Sequence, residues 1–408
     1  MQTLSFLRNN RRWLGAGLLL SASSSFGQTY FIALSSADIR ATFGISHGGF
    51  GGLYMLATFA SAATLVWLGK LVDSWPLQRL AALTIAGLAL TAIAMAVLPT
   101  AWLLVPVLFG LRLFGQGMLS HLCFTAMGRW FNAQRGRAVA IAALGFPIGE
   151  TLLPIVTVAL IGSIGWRANW LVAAAVLLLA ALPAAWWLLR TERTPQSPEA
   201  PTPDQAGRRQ WTRAEVLRHP LFYALLPGLM APPFILTGLF FHQVHWVTAK
   251  GWTMAFFATT YAPYGAGVIG AGIAFGWIVD RFTAKRLLPL YLLPMGAALA
   301  ILSITNAPWL GWVAMLAAGI SQGAAATLLG ALWAELYGTR HLGAIRSVAV
   351  SAMVFSTGLA PGLMGALIDA GMTFDSQLAW AALYTFAVAG VFAVLVLDKV
   401  PGCHFPVE

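Results

Sequence analysis

The stretch that decides the fold is Gly69-Lys-Leu-Val-Asp73-Ser-Trp-Pro-Leu-Gln-Arg79, because it recurs as Gly276-Trp-Ile-Val-Asp280-Arg-Phe-Thr-Ala-Lys-Arg286. In both copies the aspartate follows the glycine by four residues and the arginine follows the aspartate by six, and the copies start 207 residues apart. A second matched pair has an offset of 206, since Gln116-Gly117 and Gln322-Gly323 each begin 13 residues before a charged residue, Arg129 or Glu335. Duplicated halves in an apolar chain are typical of transporters in which one half moves against the other.

The composition places the chain in a membrane. It is 59% hydrophobic and only 9% charged, with a mean hydropathy of +0.77, whereas soluble domains carry about 25% charged residues. Apolar runs near the length needed to cross the hydrocarbon as a helix recur throughout. We therefore predict an all-α polytopic membrane protein with twelve transmembrane helices in two pseudo-symmetric six-helix halves. The predicted spans are 13–35, 49–69, 80–98, 101–127, 138–163, 168–190, 219–243, 253–275, 287–305, 309–335, 347–369 and 376–397.

The domain plan follows from these spans. We expect an N-terminal bundle over 1–190, a cytoplasmic linker over 191–218 and a C-terminal bundle over 219–408. Four prolines among polar residues predict a flexible, extended linker. Near its end, Thr212-Arg-Ala-Glu215 fits a capping box. It predicts a short interfacial helix whose apolar neighbours face lipid, namely Trp211, Val216 and Leu217; a plain linker is the alternative.

The net charge of +11 does not indicate nucleic-acid binding, because the basic residues follow the membrane topology. With the N-terminus inside, 20 of the 24 basic residues lie in predicted cytoplasmic segments, and the outer loops keep only Arg40, Arg167 and Lys250. This bias predicts that both termini are cytoplasmic. The expected partners are the lipid bilayer and a small-molecule or ion substrate.

Several motifs resemble one family over nearly the whole chain. The two repeated loops and Arg112-Leu-Phe-Gly115-Gln-Gly117 resemble signatures of the major facilitator superfamily. Arg129-Trp-Phe-x-x-x-Arg135-Gly136 and Tyr337-Gly-x-x-x-x-Gly343-x-Ile-Arg346 are similar to bacterial monocarboxylate-transporter-like and oxalate/formate-exchanger-like members. The resemblance implies secondary active transport by alternating access, no cofactor, a monomer, and a multi-pass location in a bacterial inner membrane. The first loop departs from the family pattern, since Lys70 follows its glycine and Trp75-Pro76 replaces the usual turn residues.

The repeated loops predict a cytoplasmic gate. A carboxylate at the end of a helix can hold neighbouring helix N-termini and arginines, and so close an inner gate. The alternative is that these charges only set the topology. The candidate gate residues are Gly69, Asp73, Arg79, Gly276, Asp280, Arg281 and Arg286.

Two charges fall near the middle of the bilayer, Arg112 in the fourth span and Glu150 in the fifth. A charge at that depth costs about 2.5–3.5 kcal/mol on insertion scales, so we expect the two to pair and to have a function. The repeat provides an internal control, because the equivalent positions are Ala318 and Thr357. We predict that protonation of Glu150 releases the guanidinium, which then binds a small carboxylate bidentately, so that anion and proton travel together.

Other polar residues in the spans could line the same path for substrate and protons. Taken singly, each fits an ordinary helix–helix hydrogen bond equally well, and His242 also fits an interfacial position beside an aromatic belt. The remaining candidates for the path are Gln28, Tyr30, Gln116, Ser120, His242, Tyr261, Tyr264 and Gln322.

Competing functions also have candidate residues. A copper or other metal importer is the main alternative, since Met118, His121 and Cys123 lie close together in the fourth span and soft ligands suit Cu(I). A non-transporting sensor or assembly factor on the same scaffold is another. An enzyme is not expected, because neither a phosphate-cradling loop nor a catalytic triad spacing occurs.

Overall fold

The computed structural model describes residues 2–131, 135–191, 210–338 and 341–396, with the side chains of 2–5, Asp73, Arg135, Asp280 and Gly343 outside that description. All regular secondary structure in these ranges is helical. The chain divides into two compact units, Met1–Ala200 and Pro201–Glu408. Most of the predicted flexible linker, 192–209, lies outside the described residues, so the exact domain limits stay a prediction.

The first unit contains six helical spans. The first, α1, runs over Gln2–Ser24 and continues as Thr29–Leu34 after a 3₁₀ turn at Ser25–Gly27. Gly165 divides the last helical stretch, because its φ of +82° is open to glycine but disfavoured for other residues. The other bounds are α2 His47–Leu68, α3 Leu77–Ala96, α4 Ala101–Trp130, α5 136–164 and α6 166–189.

The second unit contains the other six. Prolines occupy the first turns of three of its helices, where the missing N–H leaves no intrahelical bond unmade. The bounds are α7 Pro220–Phe241, α8 Met254–Val279, α9 Leu293–Ile304, α10 Pro308–Tyr337, α11 Leu342–Asp369 and α12 Phe374–Val396.

The prediction of twelve spans is confirmed. Nine stretches of the described chain are long and apolar enough to cross a membrane, and one of them, Gly136–Leu189, is 54 residues long and holds both α5 and α6. The broken α1 and the shorter apolar α9 complete the set.

The segment before α7 is partly as predicted. Thr212 and Glu215 form both halves of a capping box at the start of the short helix Arg213–Val216. The lipid-facing orientation of its apolar residues is wrong, because Trp211 and Val216 are buried in the core of the second unit. The Trp211 amide donates to the Tyr337 carbonyl at 3.1 Å, and this bond pins the segment to the end of α10.

Glycines set the closest helix contacts. In the first unit, a Cβ on Gly115 of α4 would lie 2.5 Å from the Cα of Gly27. In the second, a Cβ on Gly267 of α8 would lie 2.6 Å from the Leu316 carbonyl oxygen of α10. Backbones can approach this closely only where no side chain intervenes, as is common in membrane bundles.

Candidate functional site

The fourth helix carries the buried arginine in an unusual backbone. Residues Leu111–Leu119 of α4 are π-helical, and this stretch includes Arg112 and Gln116. Such wide turns are rare and occur often at functional sites. Arg112 is 3% exposed, so its guanidinium lies inside the first unit.

The partners of Arg112 are all uncharged. Its Nη1 donates to the Gly27 carbonyl at 3.5 Å and to Thr29 Oγ1 at 3.4 Å. Both distances are long for charge-assisted hydrogen bonds, which are typically about 2.7–2.9 Å. Its buried Nε has no acceptor. The guanidinium thus keeps donor capacity that the folded chain does not use.

A tyrosine completes this pocket. The Arg112 Cζ lies 5.2 Å from the centre of the Tyr54 ring of α2, within cation–π range. The Tyr54 hydroxyl in turn lies 2.7 Å from Thr29 Oγ1. Three helices therefore converge on Arg112, through the break in α1, the buried face of α2 and the π-helical turn of α4.

The predicted ion pair between Arg112 and Glu150 is wrong. Among the described residues, no carboxylate lies within ion-pair distance of Arg112. The prediction used the matching depth of Arg112 and Glu150 on neighbouring helices. Whether the two side chains meet also depends on the rotation of each helix about its axis. Arg112 contacts Gly27 and Thr29 of the break in α1, whereas Glu150 lies near Tyr30.

Glu150 is located beside Tyr30. A Cβ on the preceding Gly149 would contact Ser25 Oγ and would lie 3.2 Å from the Tyr30 hydroxyl, so α5 packs directly on the 3₁₀ turn of α1. Glu150 is near enough to interact electrostatically with that hydroxyl. The same short break, residues 25–30, thus touches the surroundings of both buried charges.

The other candidates of the first unit lie close to this break or to Arg112. Gln28 Nε2 is 3.5 Å from Ser24 Oγ. Gln116, one turn beyond Arg112, has a buried Oε1 without a hydrogen-bond partner. Ser120 is half-buried on the next turn of α4.

The candidates of the second unit form a separate group. Buried Tyr261 donates to Gln243 Oε1 at 2.8 Å, and the Tyr264 ring packs edge-on against Phe240. His242 Nε2 donates to the Pro361 carbonyl at 3.0 Å, so this histidine is buried rather than interfacial. Gln322 is half-buried in α10.

The gate is described only in part. The side chains of Asp73 and Asp280 lie outside the described residues, so their role stays a prediction. Arg79, Arg281 and Arg286 are exposed.

A carboxylate in the second unit nevertheless does what was expected of the aspartates. Glu335 accepts hydrogen bonds from the backbone amides of Ala284, at 2.7 Å, and Lys285, at 3.3 Å. These amides begin the short helix Ala284–Leu287, within the second copy of the repeated loop. In the first copy of the loop, the Gly69 carbonyl accepts a hydrogen bond from His121 Nε2 at 3.1 Å.

The alternative metal site is not assembled. His121 is engaged with Gly69 of α2, whereas Cys123 Sγ donates to the Gly17 carbonyl of α1 at 3.3 Å. Residues two apart on a helix point in different directions, so Met118, His121 and Cys123 do not converge. No group of three His, Cys, Asp or Glu side chains that could hold a metal ion occurs in the described part of the chain.

Sequence reasoning placed Thr29 among the polar residues of the first span but missed Gly27 and Tyr54, which also contact the guanidinium. Thr29 and Gly27 belong to the α1 break, and Tyr54 lies in a long apolar span with no motif around it. The available signal was a tyrosine in mid-span among small residues, since Tyr54, Ala57, Thr58 and Ser61 share a buried face of α2.

Known proteins resemble this chain along its length. The sequence model of the Major Facilitator Superfamily matches residues 17–361. An MFS-type transporter of Gibberella moniliformis (strain M3125 / FGSC 7600) is 38% identical over 93 residues, which cover 23% of this chain and 21% of that protein. The match therefore spans about a fifth of that relative.

Solved structures share the fold. A bacterial homolog of the human lysosomal transporter Spinster, crystallised in an inward-facing and occupied conformation, gives a TM-score of 0.74 at 17% identity, covering 97% of this chain and 98% of that one. Its inward-facing, unoccupied form gives 0.66 at 17% identity, covering 94% of each chain.

Proposed function

The chain belongs to the Major Facilitator Superfamily, a family of membrane transporters, and we propose that it moves a small organic anion together with protons by alternating access. The narrower sequence likeness to monocarboxylate-transporter-like members supports this substrate class. The excess of basic residues on one side supports an orientation with both termini in the cytoplasm. The family resemblance supports a monomer of two six-helix bundles in a bacterial inner membrane.

One observation carries the proposal. Arg112 is buried at mid-span, its neighbours are the uncharged Gly27 carbonyl, Thr29 hydroxyl and Tyr54 side chain, and its Nε has no acceptor. A charge in that position is tolerated in a membrane mainly where it serves a substrate or ion pathway. A small carboxylate fits because the planar guanidinium can hold it with two parallel hydrogen bonds.

Glu150 supplies the coupling through charge balance rather than through direct contact. With Glu150 ionised, the two mid-span charges of the first unit, Arg112 and Glu150, balance each other without substrate. With Glu150 protonated, the charge of Arg112 is balanced by a bound anion. Interactions between charges are strong in such a medium, so the anion and the proton favour each other's binding. The α1 break adjoins both residues and can carry local rearrangement, as in other broken transporter helices.

The first experiment identifies the ligand and its site. Purified protein is screened by thermal shift against mono- and dicarboxylates, amino acids, sugars and Cu(I). We expect a carboxylate to raise the melting temperature of the wild type. The rise should be smaller for Arg112→Lys and absent for Arg112→Ala. A hydrogen bond to a charged group contributes about 1.5–3 kcal/mol, so losing the contact between Arg112 and the carboxylate should raise the Kd of Arg112→Ala roughly 10- to 150-fold.

The control removes an arginine that contacts two backbone carbonyls and the Trp166 ring and lies in another part of the first unit. Arg167 donates to the carbonyls of Ala96 and Leu98 at 2.8 and 3.1 Å, so Arg167→Ala should lower the melting temperature but keep the ligand response. Equal ligand shifts in Arg112→Ala and the wild type would contradict the assignment of the site.

The second experiment tests coupling. In proteoliposomes, uptake of the identified anion should rise with an inward proton gradient in the wild type. Glu150→Gln should transport with no dependence on that gradient. Uptake by Glu150→Gln that stayed fully proton-coupled would defeat the role of Glu150, and absence of any wild-type flux would favour a non-transporting sensor.

A further inference from the structure

The second unit contains a cavity that is separate from the buried charges. It lies between α7, α11 and α12 and has a volume of about 600 Å³. Along α11 it extends from Ser356 to Leu367, a rise of about 16 Å at 1.5 Å per residue. Both the volume and the elongated shape suit a small hydrophobic molecule, since ligand pockets typically measure about 300–1,000 Å³.

The cavity opens between large apolar side chains. Leu363 of α11 and Trp380 of α12 line it and are 46% and 64% exposed. Both lie on helices long and apolar enough to cross a membrane, so lipid is the expected neighbour of these exposed apolar side chains. A molecule dissolved in the bilayer can therefore enter from the side without crossing water.

One polar group faces this apolar space without a partner. Gln377 of α12 lines the cavity and is 5% exposed. Its Nε2 donates to the carbonyls of Met364, at 3.3 Å, and Met372, at 3.5 Å, and this fixes the orientation of the amide. Its Oε1 is buried and has no hydrogen-bond donor. A buried acceptor left unpaired costs about 1–3 kcal/mol, so a ligand that brings a donor is favoured there.

The charge of the lining narrows the ligand class. None of the described residues that line the cavity is ionisable as an acid or base near neutral pH. A carboxylate or phosphate would lose its hydration without gaining a cation, and an ammonium group would gain no anion. An uncharged hydroxyl, by contrast, can donate to Gln377 Oε1 and leave its chain among Leu, Met and Phe side chains.

We propose that the cavity between α7, α11 and α12 binds an uncharged long-chain alcohol from the bilayer, with its hydroxyl donating to Gln377 Oε1. This site is independent of the anion site, because it uses different helices and no charged residue. Its occupant is a membrane-derived or membrane-soluble amphiphile with a single apolar chain.

The test uses the full-length protein in nanodiscs with a diazirine-bearing long-chain alcohol as a photoreactive probe. Mass spectrometry should locate the label on peptides of α7, α11 and α12. Dodecanol should compete more strongly than dodecane or dodecanoate at equal membrane concentrations. Gln377→Leu should weaken dodecanol competition about two- to tenfold, the value of one neutral hydrogen bond.

A second pair of variants keeps the test independent of the Gln377 contacts. Ala381→Phe fills the cavity and should abolish labelling there, whereas Ala379→Phe, an exposed alanine outside the cavity on the same helix, should leave it unchanged. The proposal is overturned if Ala381→Phe labels like Ala379→Phe. It is also overturned if dodecane competes as well as dodecanol, or if dodecanoate competes better.

Discussion

The two units differ in charge at the same positions of the repeat. The first has Arg112 and Glu150 inside its helices, unpaired with each other, whereas the second has Ala318 and Thr357. Ala318 is buried, and Thr357 satisfies its hydroxyl on the Val354 carbonyl of its own helix at 2.7 Å. A six-helix unit can therefore be built without these charges, and their presence in one unit points to function.

The units also differ in the sign of a charge at equivalent positions, Arg129 and Glu335, although both residues bind the backbone of a connecting loop. Arg129 of α4 donates to the Val72 carbonyl at 3.1 Å, near the end of the short helix Leu71–Ser74. At the equivalent position Glu335 of α10 accepts from the amides that begin the helix Ala284–Leu287. A cation suits backbone carbonyls and an anion suits amides, so each unit fastens its connecting loop with the appropriate sign.

The largest predicted effect comes from building the charge into the neutral unit. Ala318→Arg should destabilise the protein by about 2.5–3.5 kcal/mol, because Ala318 is only 2% exposed and a charge placed at mid-span costs about that much. The measurement is the free energy of unfolding in mixed micelles. Ala318→Met, of similar length but uncharged, is the control for size. Equal stability of the two variants would show that the second unit also accommodates a guanidinium.

A smaller effect is expected where helices touch through glycine. Gly115→Ala should cost about 1–3 kcal/mol, because its Cβ would meet the backbone of Gly27 at 2.5 and 2.8 Å and push α1 away from Arg112. Gly52→Ala, with open space around its Cβ, should be neutral or slightly stabilising. Thermal unfolding of both variants, with ligand binding measured alongside, checks this. Normal ligand affinity in Gly115→Ala would show that the contact does not position Arg112.

The last comparison concerns the end of α9, which Lys250 closes, and it includes the smallest expected effect. Lys250, whose side chain is 1% exposed, binds the Thr305 carbonyl at 3.0 Å and Asp375 at 2.9 Å. Lys250→Met should cost about 1–3 kcal/mol, since it leaves Thr305 and the carboxylate unpaired. Asp375→Asn should cost only about 0–1 kcal/mol, because that carboxylate is half-exposed.

Chemical denaturation of the two single variants and the double variant measures the difference. The double variant gives the coupling energy between the two residues. A larger loss for Asp375→Asn than for Lys250→Met would mean that the ion pair, rather than the carbonyl contact, holds this corner.

The fold could be predicted because its signals are local. Apolar length predicts each span by itself, and the capping box at Thr212 and Glu215 needs only residues three apart. The prediction was weaker where an element packs against another. Trp211 looked lipid-facing by composition, but Tyr337 and the end of α10 bury it.

The sequence by itself determined the twelve spans, the duplication and the presence of two buried charges in one half only. The tertiary structure decided what those charges touch. Each residue turns an α-helix by about 100°, so a break at Ser25–Gly27 and a π-helical stretch at Leu111–Leu119 redirect side chains without changing the hydropathy of the spans. The hydropathy that predicts a span is a sum over one segment of the chain. The direction of a side chain depends on how several segments pack together.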